Sequence, residues 1–199
     1  MPPGRFRFAL FDYDGTLSLI REGWPQVMIP MMVDVLAATG TAEDRATLTR
    51  HVEEFVMRLN GRQTIYQMMQ LADEVRKRGG PPLEPLQYKH RYNDLLMERI
   101  RGRIEALVTG AAAADDWTVP GSHAFLTELT RHGLTLYLAS GTDEQYVRKE
   151  AALLDLQRYF GEHIYGALDD YRQFSKKMAI ERILRENQIQ GDGLLAIGD

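Results

Sequence analysis

Cysteine is absent from the 199 residues. That excludes disulfide staples, thiol nucleophiles and cysteine-held metal centres, and it fits a reducing compartment. Long apolar runs are missing as well. No stretch approaches the roughly 20 apolar residues of a membrane-crossing helix. The apolar start of the chain breaks at Asp12, too early for a secretory signal. A cytoplasmic location and no membrane partner are therefore expected. Charge of one sign is not in excess: 28 acidic residues against 24 basic ones give −4, without the electrostatic footprint of a nucleic-acid binder. The histidines, His51, His90, His123, His132 and His163, show no ligand spacing. There is no internal repeat, and the one low-complexity run is Ala111 to Ala114. What remains is an ordinary globular composition, 44% hydrophobic and 26% charged, in a chain long enough to bury a sizeable core unaided.

The most informative stretch is Phe6 to Thr16. An apolar run suited to a buried strand stops abruptly at Asp12-Tyr13-Asp14-Gly15-Thr16. Asp12 and Asp14 are two apart, which on a strand places both carboxylates on one face. Open α/β sheets bind ligands at the C-terminal edge of parallel strands, where these acids fall. Two hard anionic groups so close together call for a cation. Mg²⁺ is the candidate, since it uses few carboxylates and fills its remaining positions with water and phosphate. Gly15 allows a sharp turn and close approach of backbone to ligand.

Further along, the pattern turns helical. Trp24-Pro25 suits a helix start, and Val27, Met28, Met31, Met32, Val35 and Leu36 recur at helical spacing. The methionines read as core rather than as a binding surface. Gly40 ends this helix, and Thr41 followed by Asp44 resembles the capping start of the next. A third helix is expected from about Thr64, and a fourth after Gly79-Gly80-Pro81-Pro82, where Tyr88 and Tyr92 form part of a helix face. After Asp115 the pattern changes. Leu134 to Ala139 is a buried-type strand closing on Ser140-Gly141-Thr142. A helix is expected over about 143–154. Tyr159-Phe160 and Ile164-Tyr165-Gly166 suggest a short strand. Lys176-Lys177 opens a helix, and Leu194 to Ile197 is a strand ending in Asp199.

Strand and helix thus alternate at both ends, with a helical block of nearly 100 residues between them. The fold class expected is α/β: a Rossmann-like parallel sheet core, residues 1–18 and 116–199, with an inserted all-helical domain, residues 19–115. The ends of the parallel strands converge on one crevice. There a carboxylate can act as nucleophile, while a cation, a lysine, a hydroxyl and backbone N–H groups neutralise a phosphoryl group.

The order Asp-Tyr-Asp-Gly-Thr, strand plus Ser140, Lys176, and strand plus Gly198-Asp199 resembles the haloacid dehalogenase superfamily of phosphohydrolases. The resemblance runs through the whole chain in outline. It implies that Asp12 is the nucleophile and a magnesium ligand. It implies that Asp14 protonates the leaving oxygen, then activates water, and binds the metal through its backbone carbonyl. Ser140 would bond the transferring phosphoryl group, with Gly15, Thr16 and Gly141 completing the phosphate-binding set. Lys176 would offset the charge. Lys177 is the alternative, and Lys176 is preferred because Ile180 and Ile183 then fall where the family's helix is apolar. Asp199 would hold Mg²⁺ directly or through water. The inserted block resembles the family's helical cap, as in relatives of phosphoglycolate phosphatase and β-phosphoglucomutase.

The acid at Asp14 favours phosphate-ester hydrolysis, since relatives that cleave carbon–halogen bonds lack it. A phosphomutase would keep it. A catalytically weak binding or regulatory domain of a longer protein is the reading from a different class. A small phosphorylated metabolite, such as a sugar phosphate, is the expected partner, and no nucleic acid. Arg62 and Gln63, in the break between two cap helices, are candidates for substrate recognition, as are Arg21 and Glu22 just after the first motif. The family's fourth motif carries a second acid a few residues beyond the first, and a last core strand follows it. The sequence stops short of both, so the core is expected to be incomplete at its C-terminus and the natural protein longer.

Overall fold

A computed structural model describes residues 6–198. In chain order its strands and helices are β1 (Phe8–Phe11), α1 (Pro25–Ala37), α2 (Arg45–Arg58), α3 (Thr64–Lys77), α4 (Pro85–Thr109), α5 (Ser122–Arg131), β2 (Thr135–Asp143), α6 (Glu144–Leu153), α7 (Gln157–Phe160), β3 (Ile164–Ala167), α8 (Lys176–Glu186) and β4 (Leu194–Ile197). Among the described residues no helix is long and apolar enough to cross a membrane. The chain forms two compact units, one holding the described residues up to Glu22 and from Gly102 onward, the other Gly23–Arg101.

The first unit is the α/β one. Its four strands lie in the order β3-β2-β1-β4, and every pair is parallel. Alternation along β1 sends neighbouring side chains to opposite faces. Phe11 meets Phe125 of α5 and Phe160 of α7 edge-on, with centroids 6.0 Å apart in each case. Leu10 joins Tyr137, Ala139, Ala167 and Phe174, together with Ala179 and Ile183 of α8, in a cluster on the other face. Helices therefore cover both faces, as a parallel sheet requires. In the ladder Phe11 lies opposite Leu138 on one side and Ile197 on the other. The next residues of all three strands thus emerge along one edge, and the amide of Asp12 still donates to the Ile197 carbonyl at 2.9 Å.

Two of the local expectations for this unit are corrected. Tyr159 and Phe160 belong to α7, and only Ile164–Ala167 forms the strand. Strand β2 also runs beyond Ala139 through Ser140, Gly141 and Thr142 to Asp143. It does so through a break in register: Ala139 faces Tyr165 and Asp143 faces Ala167, so four steps on β2 match two on β3.

The helical unit follows its apolar stripes. Pro25 occupies the first turn of α1, where a missing N–H costs nothing, and Met28, Met31, Met32, Val33 and Leu36 are buried. The start of α2 falls later than the Thr41 position suggested. Asp44 is the cap, its Oδ1 accepting from the Thr47 amide at 2.7 Å, while the Thr41 hydroxyl donates to Glu43. Between α2 and α3 the buried Glu74 accepts from Arg78, Lys77 and Gln70 and meets His51 Nε2 at 2.7 Å.

As a compact unit the helical block is narrower than 19–115. Leu17 to Glu22 stay with the α/β unit because they pair with 117–119: the Leu19 amide donates to the Trp117 carbonyl at 2.8 Å and the Val119 amide to Leu17 at 3.0 Å. Arg103, near the end of α4, donates to the carbonyls of Ile20 (2.6 Å) and Glu22 (2.8 Å) and lies over the Trp117 ring.

Candidate active site

Asp12 follows the last residue of β1. Both of its carboxylate oxygens are engaged: Oδ1 accepts from the Tyr13 amide at 2.8 Å and Oδ2 from Lys176 Nζ at 2.6 Å. Burial pushes its carboxyl above the ordinary carboxylate range. The bond to Lys176, its charge and the Tyr13 amide pull the other way, and the charge of Asp14 adds to the upward push. Lys176 opens α8, whose cap is Ser175, bonded to the Met178 amide at 3.1 Å. That cap aims the first helical residue at the strand ends. Lys177 is 83% exposed and reaches Glu181 at 3.7 Å. The geometry therefore separates the two lysines.

Asp14 sits in the turn after β1. One oxygen, Oδ2, accepts from two hydroxyls, Ser140 at 3.1 Å and Thr142 at 2.8 Å. The other, Oδ1, is buried without a hydrogen-bond partner. Gly15 takes φ +77°, the left-handed conformation the turn needs, and its amide donates to the Ser18 carbonyl at 3.0 Å. The amides of Thr16, Leu17 and Ser18 all turn back to the Tyr13 carbonyl. Asp12 is thus bonded to Lys176 and Asp14 to Ser140, with Gly15 and Thr16 in the turn after β1 and Gly141 next to Ser140 on β2.

Arg21, Glu22, Arg62 and Gln63 are the remaining candidates. Arg21 is buried and paired with Glu150 of α6, Nε to both carboxylate oxygens at 3.1 Å and Nη2 to Oε1 at 2.7 Å. It also lies over the Tyr146 ring. Its charge is taken up inside the protein by this pair. Glu150 is raised above the ordinary range, first by burial, with Arg21 opposing and the charge of Asp14 adding to the rise. Glu22 is exposed and offers its carbonyl to Arg103. Arg62 and Gln63 belong to the helical unit, Arg62 exposed and Gln63 buried just ahead of α3. Thr142 was missed in the sequence, where a threonine after Ser-Gly reads as a strand end.

Among the described residues no cluster of three or more His, Asp or Glu side chains could hold a metal ion alone. Asp199, expected to contribute, lies outside the described residues. The donors present are hard oxygens, the Asp12 carboxylate at the end of β1 and the backbone carbonyl of Asp14 two residues on. This set fits Mg²⁺, which accepts few protein ligands and retains water, and it lacks the nitrogen and sulfur that zinc prefers.

A family model of haloacid dehalogenase-like hydrolases matches residues 6–199. The chain belongs to this family. No curated protein sequence gives a significant match. Among solved structures, this haloacid dehalogenase-like hydrolase is similar in fold to a predicted phosphoglycolate phosphatase from Haemophilus somnus 129PT, at 14% identity and TM-score 0.62, covering 100% of this chain and 79% of that one. It is also similar to CbbY from Rhodobacter sphaeroides in complex with phosphate, at 21% identity and TM-score 0.56, with 96% and 76% covered. A third is the HAD-hydrolase YfnB from Bacillus subtilis bound to magnesium, at 13% identity and TM-score 0.54, with 98% and 81% covered.

Proposed function

We propose that this hydrolase is a magnesium-dependent phosphatase that cleaves a small phosphate monoester through an aspartyl-phosphate. The observation that carries the reading is the hydrogen-bonded set at the strand ends, with Lys176 on Asp12 at 2.6 Å and two hydroxyls on Asp14 at 2.8 and 3.1 Å. Such a set combines an anionic nucleophile, a fixed cation, hydroxyl donors and a second carboxylate, which are the parts phosphoryl transfer needs.

In this mechanism Asp12 attacks phosphorus, and the ester oxygen departs with a proton from Asp14. Asp14, now a carboxylate, removes a proton from the water that hydrolyses the aspartyl-phosphate. Lys176 offsets charge on Asp12 and on the phosphoryl oxygens, and Ser140 donates to the transferring group. Asp12 and the Asp14 backbone carbonyl would hold Mg²⁺ together with Asp199. The ion would supply charge neutralisation for the phosphoryl oxygens. Substrate choice is assigned to the inserted helical unit, with a sugar phosphate as the class of substrate. A phosphate-bound and a magnesium-bound protein among those of similar fold support the reading.

The test is phosphate release from a panel of phosphate esters by the full-length protein, with Mg²⁺ and with chelator. Release is expected only with Mg²⁺, and it is expected to vanish in Asp12→Asn. Turnover in chelator, or full activity in Asp12→Asn, would overturn the mechanism. Isomerised product in place of free phosphate would make the protein a phosphomutase.

A further inference from the structure

Ser140 cannot serve two acceptors. A hydroxyl carries one proton, and that of Ser140 is donated to Asp14 Oδ2, while its oxygen accepts from the Thr142 amide at 3.0 Å. If Ser140 bonds the transferring phosphoryl group, it must release Asp14. The Thr142 hydroxyl, at 2.8 Å, is the shorter of the two bonds to the same oxygen and is the donor that remains. We propose that Thr142 is a positioning residue that holds Asp14 in place for proton transfer while Ser140 turns to the phosphoryl group. The inference rests on the phosphatase reading above.

Two features show that this contact is built. Between Ala139 and Asp143 strand β2 gains extra residues relative to β3, and such bulges re-aim side chains. The bulged segment is accommodated by Gly166 on β3. A Cβ there would lie 2.4 Å from Glu144 Cα and 2.8 Å from the Thr142 carbonyl oxygen, so only glycine admits the bulge. The ordinary task of a threonine at a strand-to-helix turn is to cap the helix. Here Asp143 occupies the cap position of α6, without a side-chain capping bond, and the Thr142 hydroxyl is directed at Asp14 instead.

The role has a kinetic signature. Loss of Asp14 positioning harms departure of a poor leaving group, which needs the proton, more than departure of p-nitrophenolate, which does not. The experiment compares kcat/KM of full-length wild type, Thr142→Val and Thr142→Ser on an alkyl phosphate and on p-nitrophenyl phosphate. For Thr142→Val a loss of about tenfold is expected on the alkyl ester and less than about threefold on p-nitrophenyl phosphate, with Thr142→Ser restoring both. Equal losses on the two esters, no loss on the alkyl ester, or no rescue by serine would overturn the assignment. Wild type and Asp12→Asn run alongside: no phosphate release by wild type, or undiminished release by Asp12→Asn, means that the phosphatase reading has failed instead.

Discussion

Lys176 Nζ lies 2.6 Å from Asp12 Oδ2 although 164 positions separate the two residues. The next lysine, Lys177, turns outward to Glu181. One helix start thus offers two adjacent cations, and the 100° step between successive helical residues sends only one to the strand ends. In the full-length protein, replacing Lys176 by methionine should lower kcat by about 10²–10³, the scale for loss of a charge-stabilising donor in an active site. Lys177→Met should stay within about twofold, as an exposed pair of this kind contributes little. Phosphate-release assays on the two variants decide the matter, and comparable losses would refute the distinction.

The Arg21–Glu150 pair gives a prediction about stability. Both side chains are almost fully buried, at 7% and 3% exposure, and the guanidinium makes three bonds to the carboxylate. Removing one member leaves the other charged and buried. Arg21→Met or Glu150→Leu should each cost about 3–5 kcal/mol, whereas the double variant should cost clearly less than the sum. Urea unfolding of the three proteins measures it. Strict additivity would show that the two charges do not depend on each other.

These two relationships also mark the boundary of what the sequence discloses. The existence of the four strands, and the place of Asp12, Asp14 and Ser140 on or next to them, could be read because each signal is local: an apolar run of strand length, a polar stop, and a helical stripe behind it. The split between Lys176 and Lys177 was half legible, since the apolar positions at Ile180 and Ile183 set the helix phase. The ion pair of Arg21 was not legible because its partner stands 129 positions away. Thr142 stayed hidden because its direction depends on a register shift against β3 and on the absence of a side chain at Gly166. The start of α2 was misplaced by a local competition, Thr41 pairing with Glu43 and leaving the cap to Asp44. What fails to show in sequence here is mostly non-local pairing, which propensity and spacing do not encode.

Glu74 predicts an acid-sensitive helical unit. Burial alone would raise its carboxyl, but hydrogen bonds from Lys77, Arg78 and His51 outweigh burial and hold it at about 2, against 4.5 as the ordinary value. A carboxyl held lower in the folded state contributes stability above its unfolded value and loses it as pH falls. The contribution should be complete above about pH 4.5 and disappear as pH falls toward about 2. Its size is on the order of 2–3 kcal/mol after discounting for the exposed Lys77 partner. In Glu74→Gln the stability lost between those two pH values should shrink. Unfolding titrations of both proteins check it, and an unchanged pH slope would exclude this network as the cause.

Two glycines make opposite predictions for the same substitution. Gly102 is exposed within α4, and a Cβ built there meets nothing within 4 Å. Alanine at 102 should stabilise the protein by about 0.5–1 kcal/mol, since glycine has the greater backbone entropy to lose in a helix. Gly166 is the contrary case. Its Cβ would press on the backbone of Glu144 at 2.4 and 2.5 Å, and backbone cannot rotate away as a side-chain tip can. Gly166→Ala should cost about 1–3 kcal/mol. Because the displaced segment carries Thr142 and Ser140, the variant should also lose activity beyond what its lower stability explains. Thermal unfolding and kcat/KM measured well below the midpoint separate the two effects. A Gly166→Ala protein with wild-type kinetics at low temperature would show that the bulge bends without moving its hydroxyls, and that the close fit at Gly166 serves stability alone.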